Sequence, residues 1–507
     1  MNRRQFSLSL LAAALSPAAF ADTNSETAGS SLIFDATRFT RKEIQANGQS
    51  MQIRVYEGLP TVSRPVAPEY QAINLYIPEA YFSGGSVRRF NAKNAPVFLP
   101  NAVGGYMPAK PGTLENRMPP APAGMQQASA APNASVMALM RGFIVAAPGA
   151  RGRTLQDASG RWTGKAPAAI VDLKAAVRWL RFNAPRLPGN MERIISNGTS
   201  AGGALSALLG ASGNHPAYTT ELHALGAAPA RDDVFAVSAY CPITNLPHAD
   251  EAYEWQFAGL REYKNVAISM LDFRVQRKEI TGQLSDAQLM LAKEWRTQFA
   301  DYVNHLGLQT PQGEPLALRP DGTGTLTAHI TSLLQASAQH ALLEGKNISA
   351  NSWLTVKDQQ VTAVRFAAYA QAVGRMKAFP AFDGLQLETG ENQLFGDSYT
   401  DKRHFTRLAA SHSTVSGAKL ADPLTVKQMD AMQQLADTQS TVAPAWRIRH
   451  GTLDRDTSLA IPALLAAAAR QRGAAVDLAL AWDKPHSGDY DIVELFDWAE
   501  SQVSAAT

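Results

Sequence analysis

The sequence predicts an α/β fold: a mainly parallel sheet covered by helices on both faces and carrying one large, mostly helical insertion. Strand-like and helical segments alternate between residues 142 and 203, the arrangement that builds a parallel sheet with helical crossovers. A serine between two glycines closes the last of these strand-like runs. From about residue 245 to 430 the pattern becomes helical and charged, and strand character resumes only at residues 445–449. At 507 residues the chain exceeds the size at which a single hydrophobic core stops growing, so a large domain with a substantial insertion is the expected division.

Residues 1–21 have the form of an export signal, with Arg3 and Arg4 ahead of an apolar stretch and a small-x-small site at Ala19-Phe20-Ala21. The apolar stretch is too short to span a membrane comfortably. Asn2-Arg3-Arg4-Gln5-Phe6-Ser7-Leu8 has the look of a twin-arginine leader, which implies export of an already folded protein to the periplasm or beyond. An ordinary secretory signal is the alternative. The mature chain then starts near Asp22, and no membrane span is expected in it. The chain holds 47 basic against 44 acidic side chains, and Arg3 and Arg4 leave with the signal. That balance gives no reason to expect nucleic acid or an anionic membrane as partner.

Residues 52–55, 72–77 and 95–99 are short β-rich runs broken by Gly, Pro and Asn, and residues 142–149 form another before a glycine-rich loop. Ile170, Leu173, Ala176, Val177 and Leu180 repeat at helical spacing, predicting an amphipathic helix over Ala168–Phe182. Residues 110–133, rich in Pro, Ala, Met and Gln, read as a long surface loop. Helical patterns recur at 287–303 and 361–376. The resulting division is residues 22–244 and 431–507 as the two parts of the core, with residues 245–430 as an insertion over the C-terminal edge of the sheet. It is either a lid over the site or a structural appendage. The lone Cys241 cannot form an intramolecular disulfide, and its apolar surroundings read as those of a buried structural thiol.

Gly198-Thr199-Ser200-Ala201-Gly202 follows the apolar run Ile194-Ile195. In the α/β-hydrolase fold this pattern is the nucleophile elbow, a sharp strand-to-helix turn where side chains at the glycines would meet backbone. A serine hydroxyl needs a base, and the base needs a carboxylate to hold its tautomer. The fold places them along the chain as Ser, then Asp or Glu, then His. Asp454 and His486 follow Ser200 in that order, each at an expected strand end or loop. Asp454 is preferred to Asp456 because it stands at the turn of His450-Gly451-Thr452-Leu453-Asp454. His486 is preferred to His450, which sits at the strand end and suits a structural hydrogen bond. A strand at residues 476–482 before His486 and a flexible Ser-Gly pair after it give the exposed loop a base requires. For the oxyanion, the amide of Ala201 is one donor; Gly105, in the turn after residues 97–103, is the second, although that loop also reads as a plain tight turn.

With these residues in view, the chain resembles bacterial tannases, tannin acylhydrolases of the α/β-hydrolase superfamily that carry a large lid. The resemblance rests on Gly198-Thr199-Ser200-Ala201-Gly202-Gly203, on Asp454-Arg455-Asp456-Thr457-Ser458, on the 32-residue step to His486, and on the stretches 382–384 and 391–396. It implies an esterase releasing gallic acid from galloyl esters through an acyl-enzyme, needing no metal or cofactor. It also implies that Lys377, Glu391 and Asp456 bind the three phenolic hydroxyls of a galloyl group. From the residues alone, Lys377 and Glu391 are solvated lid charges. Two carboxylates and an ammonium converging on one ring edge would discriminate against rings that lack hydroxyls. A feruloyl or other aryl-ester esterase with the same triad is the alternative activity, and a non-enzymatic binding protein is a third reading.

Overall fold

Uncharged runs of Val, Ile, Leu and Ala build the middle of the sheet because strands buried on both faces have no use for alternation. The computed structural model describes residues 32–115, 133–271 and 274–505. The expected export signal and residues 116–132 of the Pro-rich stretch lie outside these. Numbered along the chain, the main sheet has nine strands: β1 (Thr40–Ala46), β2 (Gln49–Pro60), β3 (Ala72–Pro78), β4 (Val97–Pro100), β5 (Ile144–Pro148), β6 (Ile194–Thr199), β7 (Ala236–Tyr240), β8 (Ala445–Gly451) and β9 (Ala475–Ala481). Their order across the sheet is β1-β2-β3-β5-β4-β6-β7-β8-β9. The first three strands pair antiparallel, as does β3 with β5, while β5-β4-β6-β7-β8-β9 are all parallel. Every residue of β3, β5 and β7 is buried.

The helix Ala168–Phe182 has the expected bounds, with Ile170, Leu173, Val177 and Leu180 fully buried. It packs on the wholly buried helix Ala201–Ala211, which lies against β6 and β7; Ala460–Gln471 lies against β8 and β9. All six parallel strands therefore end at one edge, where open α/β sheets bind their ligands.

The chain leaves the sheet after Tyr240 and rejoins it at Ala445. Between these points Asp286–Leu306 contains the expected helix at 287–303; Ser285 and Gln288 form a capping box, and Gly307 ends it in the left-handed region at φ 60°. The expectation at 361–376 needs correction. Gln360–Val364 is a strand paired with Leu354–Lys357, and the helix covers only Phe366–Val373. The apolar residues there satisfied a helical period, but Asp358 and Gln359 take φ of 50° and 58°, the turn geometry of a hairpin, ahead of β-branched Val361, Thr362 and Val364. A second hairpin pairs Glu262–Leu271 with Arg274–Gln283, so the insertion is less purely helical than its pattern indicated. Trp255, Phe299, Leu326, Leu334 and Phe382 of this region share one buried cluster with the sheet residues. Among the described residues, no helix is long and apolar enough to cross a membrane.

Candidate active site

Ser200 stands between β6 and the helix Ala201–Ala211 with φ 62° and ψ −123°, a conformation that non-glycine residues rarely adopt. It persists because its neighbourhood fixes it. The Ser200 amide donates to the Tyr240 carbonyl at 3.0 Å, and the Ser200 carbonyl accepts from the amides of Ala204 and Ile243. The glycines are required by crowding. A Cβ at Gly202 would stand 2.7 Å from Asn101 Oδ1 and 2.8 Å from the Val103 carbonyl, and one at Gly198 would meet the Gly202 backbone. Asn101, at the end of β4, completes the lock by donating through Nδ2 to the Gly202 carbonyl and to Ser206 Oγ, both at 3.0 Å.

Asp454 and His486 come from the loops after β8 and β9, and His486 Nδ1 stands 2.8 Å from Asp454 Oδ2. Asp454 is fully buried, and its other oxygen accepts the Asp456 amide at 2.8 Å. Burial alone would raise its pKa; the His450 and His486 imidazoles, with the His486 hydrogen bond, outweigh it and hold the carboxyl below its ordinary range. For His486 burial works downward, and the Asp454 hydrogen bond and the Asp454 and Asp456 charges more than reverse it, so its pKa is raised.

The loop carrying His486 is clamped, contrary to the flexibility expected of Ser487-Gly488. Asn197 donates to Asp489 at 3.1 Å, Tyr240 Oη donates to Asp491 at 2.5 Å, Arg447 pairs with Asp491, and Cys241 Sγ donates to the Ser487 carbonyl. Gly488 packs against Thr199, the residue before Ser200, where any Cβ would collide. β6, β7, β8 and β9 thus deliver Ser200, Asp454 and His486 to one edge of the sheet. The His450 side chain makes no hydrogen bond among the described residues: it is fully buried, neither ring nitrogen has a partner there, and Nε2 lies 3.6 Å from Asp454 Oδ2.

The Gly105 loop sits beside the elbow. Gly105 and Tyr106 adopt φ of 54° and 56° in a turn closed by the Met107 amide on the Gly104 carbonyl. Tyr106 Oη donates to the carbonyl of Ile243, whose own amide donates to Ser200. Ala201 is the first residue of its helix, where backbone amides have no intrahelical acceptor.

Lys377 and Asp456 are brought together, Nζ to Oδ1 at 4.0 Å, and Asp456 Oδ2 lies 3.7 Å from His486 Nδ1. Lys377 also stands over the Phe382 ring at 3.9 Å. Glu391 has other neighbours: it opens the short helix Gly390–Leu394, and its charge acts on Arg153 and Tyr106. Among the described residues, no hydrogen bond or ion pair joins its carboxylate to Lys377 or Asp456.

Two connecting residues were not anticipated. Arg153 donates to the Gly105 carbonyl at 2.8 Å and contacts Gln393, joining the Gly105 turn to the helix that carries Glu391. Tyr253 Oη accepts the amides of Met376 and Lys377 at 3.1 and 3.0 Å and donates to the Arg455 carbonyl at 3.0 Å. One hydroxyl therefore ties the Met376–Lys377 segment to the Asp454–Asp456 loop. On the same helix, Asp250 accepts the amides of Ala381, Phe382 and Asp383, and Glu254 pairs with buried Arg375. The spacing of Asp250, Tyr253 and Glu254 on one face of a buried helix is a signal that was there to be read.

The sheet topology and the elbow are those of an α/β-hydrolase, and the relatives below make the chain a carboxylic ester hydrolase. The chain matches the BD-FAE family over residues 125–287. It is 44% identical to Esterase LipC of Mycobacterium tuberculosis over 62 residues, which is 14% of that protein. A tannase structure from Lactobacillus plantarum is 44% identical, with 93% of this chain and 100% of that one covered and a TM-score of 0.88. The Fusobacterium nucleatum tannase is 43% identical over 93% of this chain and 99% of its own, with a TM-score of 0.87. A tannin acyl hydrolase in complex with ethyl gallate is 44% identical, covers 93% and 98% of the two chains, and has a TM-score of 0.85. The chain belongs to the tannase family.

Gly202→Ala is expected to cost about 1–3 kcal/mol of stability through overpacking against Asn101 and Val103, read as a lowered denaturant midpoint with unchanged slope. Tyr253→Phe leaves two amides and a carbonyl without their shared partner. A loss of about 1–3 kcal/mol in the same measurement is the expected result, and a neutral outcome would mean the hydroxyl joins nothing that matters.

Proposed function

We propose that Ser200, His486 and Asp454 act as nucleophile, base and orienting carboxylate in the hydrolysis of galloyl esters to gallic acid. The observation that carries this is the 2.8 Å His486–Asp454 contact, at the sheet edge where the elbow also ends its strand, with the Asp456 carboxylate 3.7 Å from the same ring. Neutral His486 takes the Ser200 proton as Oγ attacks the ester carbonyl. The amides of Ala201 and Gly105 hold the oxyanion, a contribution of about 10²–10³ in rate per donor in related chemistry. The imidazolium then protonates the leaving alcohol, and the galloyl-enzyme forms. Water, deprotonated by the same ring, attacks in turn and releases gallic acid. Asp454 keeps its charge throughout, as its depressed pKa requires.

Lys377, Asp456 and Glu391 are proposed to grip the ring hydroxyls. The Asp456 carboxylate lies 3.7 Å from His486 and 4.0 Å from Lys377, and Arg153 links the Glu391 helix to the Gly105 turn, which supports this reading. Residues 245–430 act as the lid, with 22–244 and 431–507 as the hydrolase core. Residues 1–21 direct export, by the twin-arginine route, to the periplasm or beyond. The substrate is a small phenolic ester, and the reaction uses no metal or cofactor.

Purified enzyme should release acid from methyl gallate far faster than from methyl ferulate or methyl benzoate, and Ser200→Ala should lose both the acylation burst and turnover. Equal or reversed rates across the panel would favour a feruloyl-type esterase, and surviving turnover would remove Ser200 from the mechanism.

The pH profile gives a second test. His486 works as the neutral ring, so kcat/KM should rise with pH through an apparent pKa above the ordinary 6.5 of histidine. The Asp456 charge raises that pKa and the Lys377 charge lowers it. Asp456→Asn should therefore move the rising limb to lower pH and Lys377→Met to higher pH. Shifts of the opposite sign would show that these charges do not face the base.

A further inference from the structure

Asp454 also clusters with two buried ligands that the proposed reaction does not use. Cys241, at the end of β7, and His450, in β8, are both fully buried. Atoms able to ligate from Cys241, His450 and Asp454 all lie within 4.8 Å of one another. Among the described residues His450 has no hydrogen-bond partner at either ring nitrogen, and its Nε2 is 3.6 Å from Asp454 Oδ2. Ligands about 2.1 Å from a tetrahedral ion stand about 3.4 Å apart, so this pair already has nearly the spacing a small cation needs. A buried imidazole left without partners is costly, and a thiol, an imidazole and a carboxylate are the donors a thiophilic divalent ion selects.

We propose that Cys241, His450 and Asp454 form an inhibitory site for a thiophilic divalent cation of the zinc and cadmium class. On binding, the Cys241 S–H bond breaks, its proton passes to solvent, and a metal–sulfur bond forms. His450 contributes a lone pair and Asp454 its existing charge. Thiolate and carboxylate together neutralise the ion. Hard cations such as magnesium, which require an oxygen shell, do not suit this set. Inhibition follows from competition: Asp454 Oδ2 is at once the oxygen nearest His450 and the one that His486 faces. A cation on that oxygen removes the tether that orients the base. This part of the inference rests on the role proposed for Asp454, whereas occupancy of the site does not.

Cys241 is the only cysteine in the chain, which gives the test a clean reporter. Titration of the mature enzyme with cadmium should raise one equivalent of thiolate-to-metal charge-transfer absorption in the ultraviolet. Methyl gallate hydrolysis should fall over the same range, and EDTA should reverse both. Cys241→Ala should show no band and require at least about tenfold more cadmium for the same inhibition; Cys241→Ser serves if that variant does not fold. Magnesium should have no effect on either signal. Absence of the band at saturating cadmium would overturn the site. Inhibition without the band would also overturn it, placing the ion instead on Asp454, Asp456 and His486, a cluster that contains no sulfur. A full band with hydrolysis unimpaired would uphold the ion site and count against the catalytic role of Asp454.

Discussion

A single ionised carboxylate organises the C-terminal edge of this sheet. Asp454 is sealed from water, yet its environment keeps it charged, so every donor around it is held by an interaction that low polarity strengthens. One oxygen fixes the Asp456 amide and with it the direction of the loop; the other fixes His486. The strands behind it contribute the rest. Asn197 in β6, Tyr240 in β7 and Arg447 in β8 each hold an acidic residue of the segment that follows His486. His486 is thus positioned from both sides, by a carboxylate at its ring and by strand side chains along its loop.

The insertion reaches the same place through one helix. Ala249–Gln256 presents Asp250 to three consecutive amides, Tyr253 to the Met376 and Lys377 amides and the Arg455 carbonyl, and Glu254 to Arg375. Burial pushes the Asp250 pKa up to about 7, with the amides opposing it, so this anchor begins to protonate near neutrality. Because its folded pKa is raised, deprotonation weighs against the folded state as pH climbs from about 4 through 7. The Lys377–Asp456 separation of 4.0 Å is accordingly set by this helix as much as by the two side chains themselves.

The parallel strands, the helix Ala168–Phe182 and the elbow were legible because each follows from a local rule: apolar runs for buried strands, a 3.6-residue period for the helix, and glycines where a Cβ has no room. The contact of Asp454 with His486 was legible because the topology brings the loops after β8 and β9 to one edge. Local rules misled at residues 361–376, where a hairpin and a short helix share a pattern that mimics one long helix. They also misled at Ser487-Gly488. There Gly488 reflects close packing on Thr199 and not flexibility. The bridges made by Arg153 and Tyr253 were hidden for a different reason. Each joins segments more than forty positions apart to backbone atoms, and a backbone acceptor leaves no trace in residue identity.

The position of Lys377 and Asp456 beside His486 has a consequence for how recognition and chemistry are divided. Their charges act on the imidazole in opposite directions, so the pair leaves it closer to its unperturbed strength than either member alone would. Under the proposed mechanism, a substrate hydroxyl that engages one of them would alter the field at His486 in the same step in which it is bound. Discrimination among phenolic rings would then be expressed in the readiness of His486 to accept a proton as well as in affinity. A ring lacking hydroxyls would forfeit both, a stronger filter than three hydrogen bonds placed at a distance from the reacting atoms.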